Sequence, residues 1–404
     1  MKMNLLLYPD TFLWFTLREG ILYNCHSKKL MQFGCNNLIY KYCKKLDDPQ
    51  NLYSVEINRE DYDTGELRNW LDNIQKLKIG SIYFTEKVKR ISLPPILNLR
   101  NEIEHAESDG SSYTDTINPS ENIHEITLFV GGSSKKNDYY KQVLYPIHSD
   151  KYIDFNSVIY FFDNYNLNHI HNLNVVFSDI SKYSELNKLV SLLESFDFSI
   201  NYYIDDYQYN SVRKLLNIIN RDNSYLNCYF SGIDNLKQIA SINKNKFYDI
   251  KWLFLLDNED KINNFDEICI EWKLENVEYW LIYTVSNDLF FRNNVYTTLR
   301  DIKEIKHTRQ MIFCNQVLNS NFWGNLFILP DGMIYYNLNS APIGRIEDDI
   351  MKRISIDIIQ GSTPWKLTRN NITPCKECNF RLLCPPPSNY EYSQEKYDMC
   401  FKNG

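Results

Sequence analysis

PCKECNFRLLCPPPSNYE, at residues 374–391, is the most informative part of this chain. Together with Cys400 it gives the pattern C-x2-C-x5-C-x15-C, so four of the ten cysteines lie within the last thirty residues. A C-x2-C turn lets two thiolates face one centre without strain, and two later thiolates can complete a tetrahedral sulfur site. Sites with sulfur ligands alone select zinc or an iron–sulfur cluster. We therefore predict a metal centre with the ligands Cys375, Cys378, Cys384 and Cys400.

Free buried cysteines, or a disulfide pair, are the alternative explanation of this pattern. The N-terminus has no apolar run ahead of a small-residue cleavage site, so we expect a cytoplasmic protein whose thiols stay reduced. That compartment disfavours disulfides. The spacing alone leaves Zn²⁺ and a [4Fe–4S] cluster both open.

The cysteine pattern resembles the C-terminal half of a SPASM domain, which follows the barrel in radical-SAM peptide maturases and carries auxiliary [4Fe–4S] clusters. Asn337 and Ser388 stand where the SPASM pattern expects cysteines, and Cys314 is the one ligand of the first cluster that is kept. The resemblance thus implies one retained cluster, held by the four C-terminal cysteines. Further motifs carry it: Cys314-x9-Gly324, Asp331-Gly332 and Ile343-Gly344-Arg345-Ile346.

The run that begins at Cys384, Cys-Pro-Pro-Pro-Ser-Asn-Tyr-Glu, narrows the match. It is similar to the pseudo-radical-SAM/SPASM proteins of Bacteroidales-type (GG-leader) peptide maturation systems. This resemblance implies an α/β chain with a SPASM-like domain at 311–404, preceded by a degenerate radical-SAM-like barrel.

Composition limits the function classes. The 404 residues suffice for two or three domains, and 44% hydrophobic and 24% charged residues are ordinary for a globular protein. The net charge is −7 and no basic block occurs, which argues against nucleic acid as a partner. No apolar run reaches about 18 residues, so we expect no membrane span and no membrane partner.

Residues 1–93 form one predicted unit, with strands at Thr11–Leu17, Ile21–Cys25 and Lys29–Phe33. Two amphipathic helices follow, one around Leu38–Leu46 and one around Leu67–Leu77. This order resembles the small winged-helix domains that recognise leader peptides. An exposed strand edge could accept an extended leader as an added strand, beside a helix groove that selects side chains. A structural cap without a ligand is the alternative.

Residues 94–123 are polar and predict a linker. Between residues 124 and 310, strands and helices alternate, which predicts a parallel sheet, either open or curled into part of a barrel. Six such βα units before a SPASM-like tail are similar to the (β/α)6 partial TIM barrel of radical-SAM enzymes. The predicted strands are Ile126–Val130, Asn174–Phe177, Ser199–Ile204, Leu226–Phe230, Lys251–Leu256 and Val277–Tyr283. The predicted helices lie near Tyr139–Leu144, Leu186–Phe196, Val212–Ile219, Leu236–Ile242, Phe265–Trp272 and Val295–Ile305.

The radical-SAM chemistry itself is missing from the sequence. Such enzymes bind the SAM cluster through C-x3-C-x2-C after the first strand, where this chain has Gly131-Gly132-Ser-Ser-Lys135. The Gly-Gly-Glu motif expected at the second strand is replaced by Phe177-Ser-Asp179. We expect no SAM binding and no catalytic residue. Cys25, Cys35 and Cys43 lie in the wrong domain with the wrong spacing for the C-x3-C-x2-C motif. Cys228 and Cys269 are isolated, which is typical of small core residues.

Two weaker motifs have simple explanations. Gly131–Lys135 matches no phosphate-binding pattern and predicts a plain loop. His169 and His171 could be two metal ligands, but no third ligand lies nearby in the sequence.

The sequence thus predicts a catalytically degenerate radical-SAM/SPASM protein of peptide maturation, with a precursor leader and an active radical-SAM maturase as partners. The alternatives are a stand-alone peptide-modifying enzyme with non-SAM chemistry, and a structural zinc-binding protein. Fold resemblance does not choose among them.

Overall fold

The computed structural model describes residues 2–85, 90–95, 118–134, 136–165, 168–205, 209–219, 224–230, 250–361 and 363–403. Most of the predicted linker, the predicted helix at Leu236–Ile242 and Lys135 lie outside these residues. Within the described ranges, none of the helices combines the length and the apolar character that crossing a membrane requires.

The N-terminal unit contains two antiparallel three-stranded sheets, ordered β5–β1–β6 and β2–β3–β4. Its strands are β1 (Lys2–Leu7), β2 (Thr11–Phe15), β3 (Glu19–Asn24), β4 (Lys29–Gly34), β5 (Ser54–Ile57) and β6 (Gly80–Thr85). Its helices are α1 (Asn37–Asp47), α2 (Arg59–Tyr62) and α3 (Gly65–Lys76). Helix α3 buries Leu67, Trp70, Leu71 and Ile74, the stripe that its sequence periodicity predicts.

The predicted strands β2, β3 and β4 and the helices α1 and α3 are present. The sheet β5–β1–β6 was not predicted. Strand β5 has only four residues, and β1 ends in Leu5-Leu6-Leu7 without apolar–polar alternation, so neither gives a clear strand signal. The structure shows a mixed α/β unit here, and the winged-helix assignment stays a prediction.

The middle of the chain forms a large, mostly parallel sheet. Six strands pair in parallel in the order β13–β12–β11–β10–β9–β7, and β8 pairs antiparallel with β7. The strands are β7 (Glu125–Gly132), β8 (Ser149–Tyr152), β9 (Asn172–Phe177), β10 (Ser199–Asp205), β11 (Ser224–Phe230), β12 (Ile250–Leu256) and β13 (Val277–Leu281). The helices are α4 (Phe155–Asn164), α5 (Leu186–Leu193), α6 (Tyr209–Ile218), α7 (Glu259–Trp272), α8 (Asp288–Val295) and α9 (Leu299–Glu304).

The six predicted parallel strands are confirmed, but two predicted helices are wrong. Near Tyr139–Leu144 the chain makes only a 3-10 turn, Tyr139–Lys141, because its tyrosines pack on a strand face instead of on a helix. The predicted helix near Val295–Ile305 is two helices, α8 and α9. The helix does not continue through Thr298, because the side chains of Thr298 and Asp301 form a capping box that starts α9.

The C-terminal residues extend the same sheet. Strand β14 (Asn325–Ile328) pairs in parallel with β7, and β15 (Met333–Tyr335) and β16 (Gly344–Arg345) follow antiparallel, giving ten described strands in all. Gly332, at φ 81°, provides the left-handed residue that the β14–β15 turn requires. The remaining helices are α10 (Arg309–Val317), α11 (Ile350–Gln360) and α12 (Asn389–Gln394).

The N-terminal unit and the C-terminal tail share a hydrophobic core. From the sheet β2–β3–β4 it takes Phe12, Trp14, Ile21, Tyr23 and Cys25, and from the C-terminal part Ile302, Ile312, Phe380, Leu382 and Leu383. Because the cysteine-rich segment lacks a large core of its own, this contact supplies much of its buried apolar surface.

Candidate metal centre

Tight turns bring three of the four predicted ligands together. The amide of Cys378 donates to the carbonyl of Cys375 at 2.8 Å, which closes a 3-10 turn across the C-x2-C motif. The amide of Cys384 donates to the carbonyl of Phe380 at 2.9 Å. These turns fold the segment back on itself, and Cys375, Cys378 and Cys384 all line one cavity.

The fourth cysteine arrives from the C-terminus. Cys400 bridges to Thr297, whose amide donates to Met399 and whose carbonyl accepts from Phe401. All four cysteines line one cavity of about 330 Å³, which we call the thiol cavity. The structure therefore places the four predicted ligands around one cavity. Across the described ranges, no three His, Cys, Asp or Glu side chains are arranged so that they could hold a metal ion.

The thiols are partly removed from solvent. Burial raises the pKa of the Cys384 thiol to about 12, and it also raises the pKa of Cys375 and of Cys400. The neighbouring thiols raise the Cys384 pKa further, whereas Arg369 lowers it. Without a metal, these groups are thiols near neutral pH, so a bound metal must displace their protons.

Arg369, which lines the thiol cavity, belongs to a buried ion pair. Arg369 donates to both carboxylate oxygens of Glu391, at 2.7 and 3.0 Å, and the two side chains are 9% and 5% exposed. The same guanidinium lies 3.5 Å from Cys375 Sγ and donates to the carbonyl of Pro385. Arg369 therefore ties the C-x2-C turn, the triple proline and α12 together. Sequence reasoning missed this pair, because Arg369 lies outside the motifs and Glu391, although it ends the Cys-Pro-Pro-Pro-Ser-Asn-Tyr-Glu run, carries no sign of its partner.

The thiol cavity is rimmed by further cations and connects to the N-terminal unit. Arg381 and Lys402 also line it. Lys402 Nζ lies 3.0 Å from a carboxylate oxygen of Glu19, at the start of β3, and Asn379 donates to the Glu19 carbonyl. Positive side chains beside several thiols suit a site that gathers negative charge when the thiols ionise.

The other residues singled out in the sequence lie elsewhere. Cys314, on α10, does not line the thiol cavity. Asn337 is buried and donates to the Asn389 side chain at 2.7 Å, while Ser388 caps α12 in a capping box with Glu391. The two positions that depart from the SPASM pattern thus hold hydrogen-bonding side chains. Of the two isolated cysteines, Cys228 is buried, as predicted, and Cys269 is half-buried. Cys25, Cys35 and Cys43 are buried too.

The carboxyl end of the parallel sheet is filled by aromatic side chains. We call this group the tyrosine cluster: Tyr139, Tyr145, Tyr203, Tyr229 and Trp280. The Tyr229 ring is fully buried and lies 5.2 Å from Tyr145 and 5.7 Å from Trp280, between ring centres. The Tyr145 hydroxyl donates to Asp205 at 2.7 Å. The segment after β7 thus folds over the end of the sheet where parallel α/β proteins usually place their ligands.

Of the Gly131–Lys135 run, predicted as a loop, Gly131 and Gly132 are instead the last two residues of β7. A Cβ at Gly132 would meet the carbonyl oxygen of Asp179 at 2.4 Å, so this glycine serves close packing of the strand end. His169 and His171 are both exposed.

A second concave surface lies on the N-terminal unit, between β4 and α3. This β4–α3 groove measures about 460 Å³. Phe33 and Trp70 form an aromatic pair along it, with ring centres 5.6 Å apart, and Arg18, Glu66 and Asn73 are polar residues at its sides. Strand β4 is the outer strand of its sheet.

No protein-family model matches the chain, and no curated protein matches it either. The functional proposal therefore rests on the residues and their geometry.

Proposed function

We propose that this chain is a catalytically degenerate radical-SAM/SPASM-type protein of ribosomal peptide maturation. It binds the leader of a precursor peptide and partners an active radical-SAM maturase, and it cleaves no SAM itself. One auxiliary [4Fe–4S] cluster is held by Cys375, Cys378, Cys384 and Cys400. The observation that carries the proposal is the convergence of these four cysteines on one cavity.

Four cysteines around one cavity of about 330 Å³ are donors that suit an iron–sulfur cluster, and they suit zinc as well. The resemblance of their spacing to the SPASM pattern is what favours the cluster. A cluster held there supplies either electron transfer or a structural link. We favour the structural link, because the three prolines after Cys384 make a rigid segment that wraps the site.

The tyrosine cluster supports the absence of SAM chemistry. It occupies the carboxyl end of the sheet, and β7 ends in Gly131 and Gly132, where a radical-SAM motif would begin to supply thiolates. The test is anaerobic incubation of the reduced protein with SAM. We expect no 5′-deoxyadenosine from this chain alone, and its formation would overturn this part of the proposal.

The β4–α3 groove supports leader binding. An outer strand has unpaired backbone groups that an extended peptide can satisfy, and the apolar floor beside it can select side chains. Arg18 lines this groove, and the next residue, Glu19, pairs with Lys402 of the thiol cavity. Adjacent residues thus connect the two sites.

Groove binding is tested by fluorescence anisotropy with a labelled leader peptide of the GG type. Asn73→Trp places a bulky ring in the groove and should weaken binding at least about tenfold. Asp72→Trp adds the same ring one position away, outside the groove lining, and should leave affinity unchanged. Equal affinities for wild type and Asn73→Trp would remove the groove from the proposal, and co-purification with a neighbouring C-x3-C-x2-C maturase tests the partner separately.

A further inference from the structure

A second polar cavity lies where β7 and β14 run side by side. It measures about 210 Å³, and none of the residues that line it also lines the thiol cavity. We call it the asparagine cavity, because five asparagines line it: Asn321, Asn325, Asn337, Asn339 and Asn389. Glu125 and Thr127 of β7 complete one wall beside Asn325 and Phe327 of β14, to which they pair in register.

Hydrogen bonds fix the asparagine side chains in place. Asn337 Oδ1 accepts from both the amide and the side chain of Asn339, at 2.9 and 3.0 Å, and Asn337 Nδ2 donates to Asn389. The side chain of Asn339 also donates to the carbonyl of Lys141 at 2.7 Å. Side chains held in this way lose little conformational entropy when a ligand binds.

The same bonds leave the cavity rich in acceptors. The side-chain N–H groups of Asn321, Asn325 and Asn339 each donate to a main-chain carbonyl. Within the described residues, no protein group donates to the side-chain oxygens of these three asparagines.

Glu125 adds a carboxyl group to these acceptors. Burial is the largest effect and raises the pKa of this carboxyl. The charge of His124 and a hydrogen bond from Asn174 act in the opposite direction and lower the pKa. Lys141 also lines the cavity, and its ammonium lies 3.5 Å from a carboxylate oxygen of Asp138. The Glu125 carboxyl, when ionised, provides the lining with a negative group for a ligand.

We propose that the asparagine cavity binds a small cationic group rich in N–H donors, a guanidinium or a primary ammonium. Such a group pairs with the Glu125 carboxylate and donates to the asparagine oxygens. The inference is independent of the proposed function, because it uses neither the thiol cavity nor the β4–α3 groove.

The test is a ligand-observed NMR titration of the full chain with methylguanidinium and with methylurea, a neutral molecule of the same shape. We expect saturable binding of methylguanidinium and a preference over methylurea of about tenfold or more. Glu125→Gln should abolish this preference, and Asn325→Leu should weaken methylguanidinium binding. Glu121→Gln, on an exposed carboxyl four residues earlier, should keep both.

Equal binding of the two probes, or no saturable binding of methylguanidinium, would overturn the proposal. So would a Glu125→Gln variant that binds methylguanidinium as tightly as the wild type. Circular dichroism of each variant identifies any that fails to fold, and Asn325→Leu then provides the test on its own.

Discussion

The thiol cavity and the carboxyl end of the parallel sheet have opposite contents. Four cysteines from two segments line the first, with Arg369 beside them, whereas the second is filled by the tyrosine cluster, with Tyr229 at its centre. Both are places where the radical-SAM/SPASM resemblance would put a cluster. Thiols leave room for a metal group and supply its ligands, whereas packed aromatic rings do neither. Of the two regions, the thiol cavity is therefore the one that we propose as a metal site.

The largest expected effect comes from Arg369. Arg369→Met leaves the Glu391 carboxylate buried without its partner, which should cost about 3–5 kcal/mol and release metal from the thiol cavity. Urea unfolding and metal content measure the two effects. Arg300→Met, in an exposed pair with Glu304, is the matched control and should change neither. If Arg369→Met retained full stability and metal, the ion pair would not support the site.

A comparable loss of stability, without loss of metal, is expected for a substitution in the tyrosine cluster. Tyr229→Ala removes a fully buried ring from the tyrosine cluster, which should cost about 3–5 kcal/mol. Because no residue of the tyrosine cluster lines the thiol cavity, metal content per folded chain should equal that of wild type. A parallel loss of metal would show that the two regions are not independent.

His307 makes the contact between the N-terminal sheet and the tail sensitive to pH. Burial, followed by the charge of Lys28, lowers the pKa of this imidazole to about 4. Lys28 and Tyr23 face it from β2–β3–β4, and both donate to its carbonyl. The unfolded chain takes up the proton near pH 6.5, so stability is fully present above that pH. It is lost as pH falls through 4, by about 3 kcal/mol in all.

Urea unfolding at several pH values between 7 and 4 measures this loss, alongside His307→Phe, which fills the space without titrating. The variant should lack the histidine contribution to the pH dependence. The free energy of unfolding of the wild type should therefore fall more than that of His307→Phe between pH 7 and pH 4. Parallel curves would show that His307 does not couple this contact to pH.

The smallest expected effect is at Glu19. Its pair with Lys402 is partly exposed on both sides, so Glu19→Gln should change the free energy of unfolding by less than about 1 kcal/mol. The apolar core shared by the sheet and the tail holds these parts together instead. A larger loss would mean that the charge link at the thiol cavity matters more than this core.

The sequence predicts what depends on local pattern. Continuous apolar runs such as WLFLL at 252–256 in β12 predict buried parallel strands, and the C-x2-C-x5-C-x15-C spacing predicts which cysteines lie around one cavity. What it misses depends on contacts between distant residues. Tyr139–Leu144 has helical spacing, yet its rings pack onto β11, and Arg369 meets Glu391 only in the fold. Short edge elements such as β5 carry too few residues for a pattern to identify them.

The most direct test of the central claim is the metal content of anaerobically purified protein. Iron, acid-labile sulfide and zinc are measured in the wild type, in Cys378→Ala and in Cys314→Ala, whose cysteine lies outside the thiol cavity. We predict about four irons and four sulfides per chain in the wild type and in Cys314→Ala, and their loss in Cys378→Ala. One zinc per chain without iron, or iron that persists in Cys378→Ala, would contradict the proposed cluster.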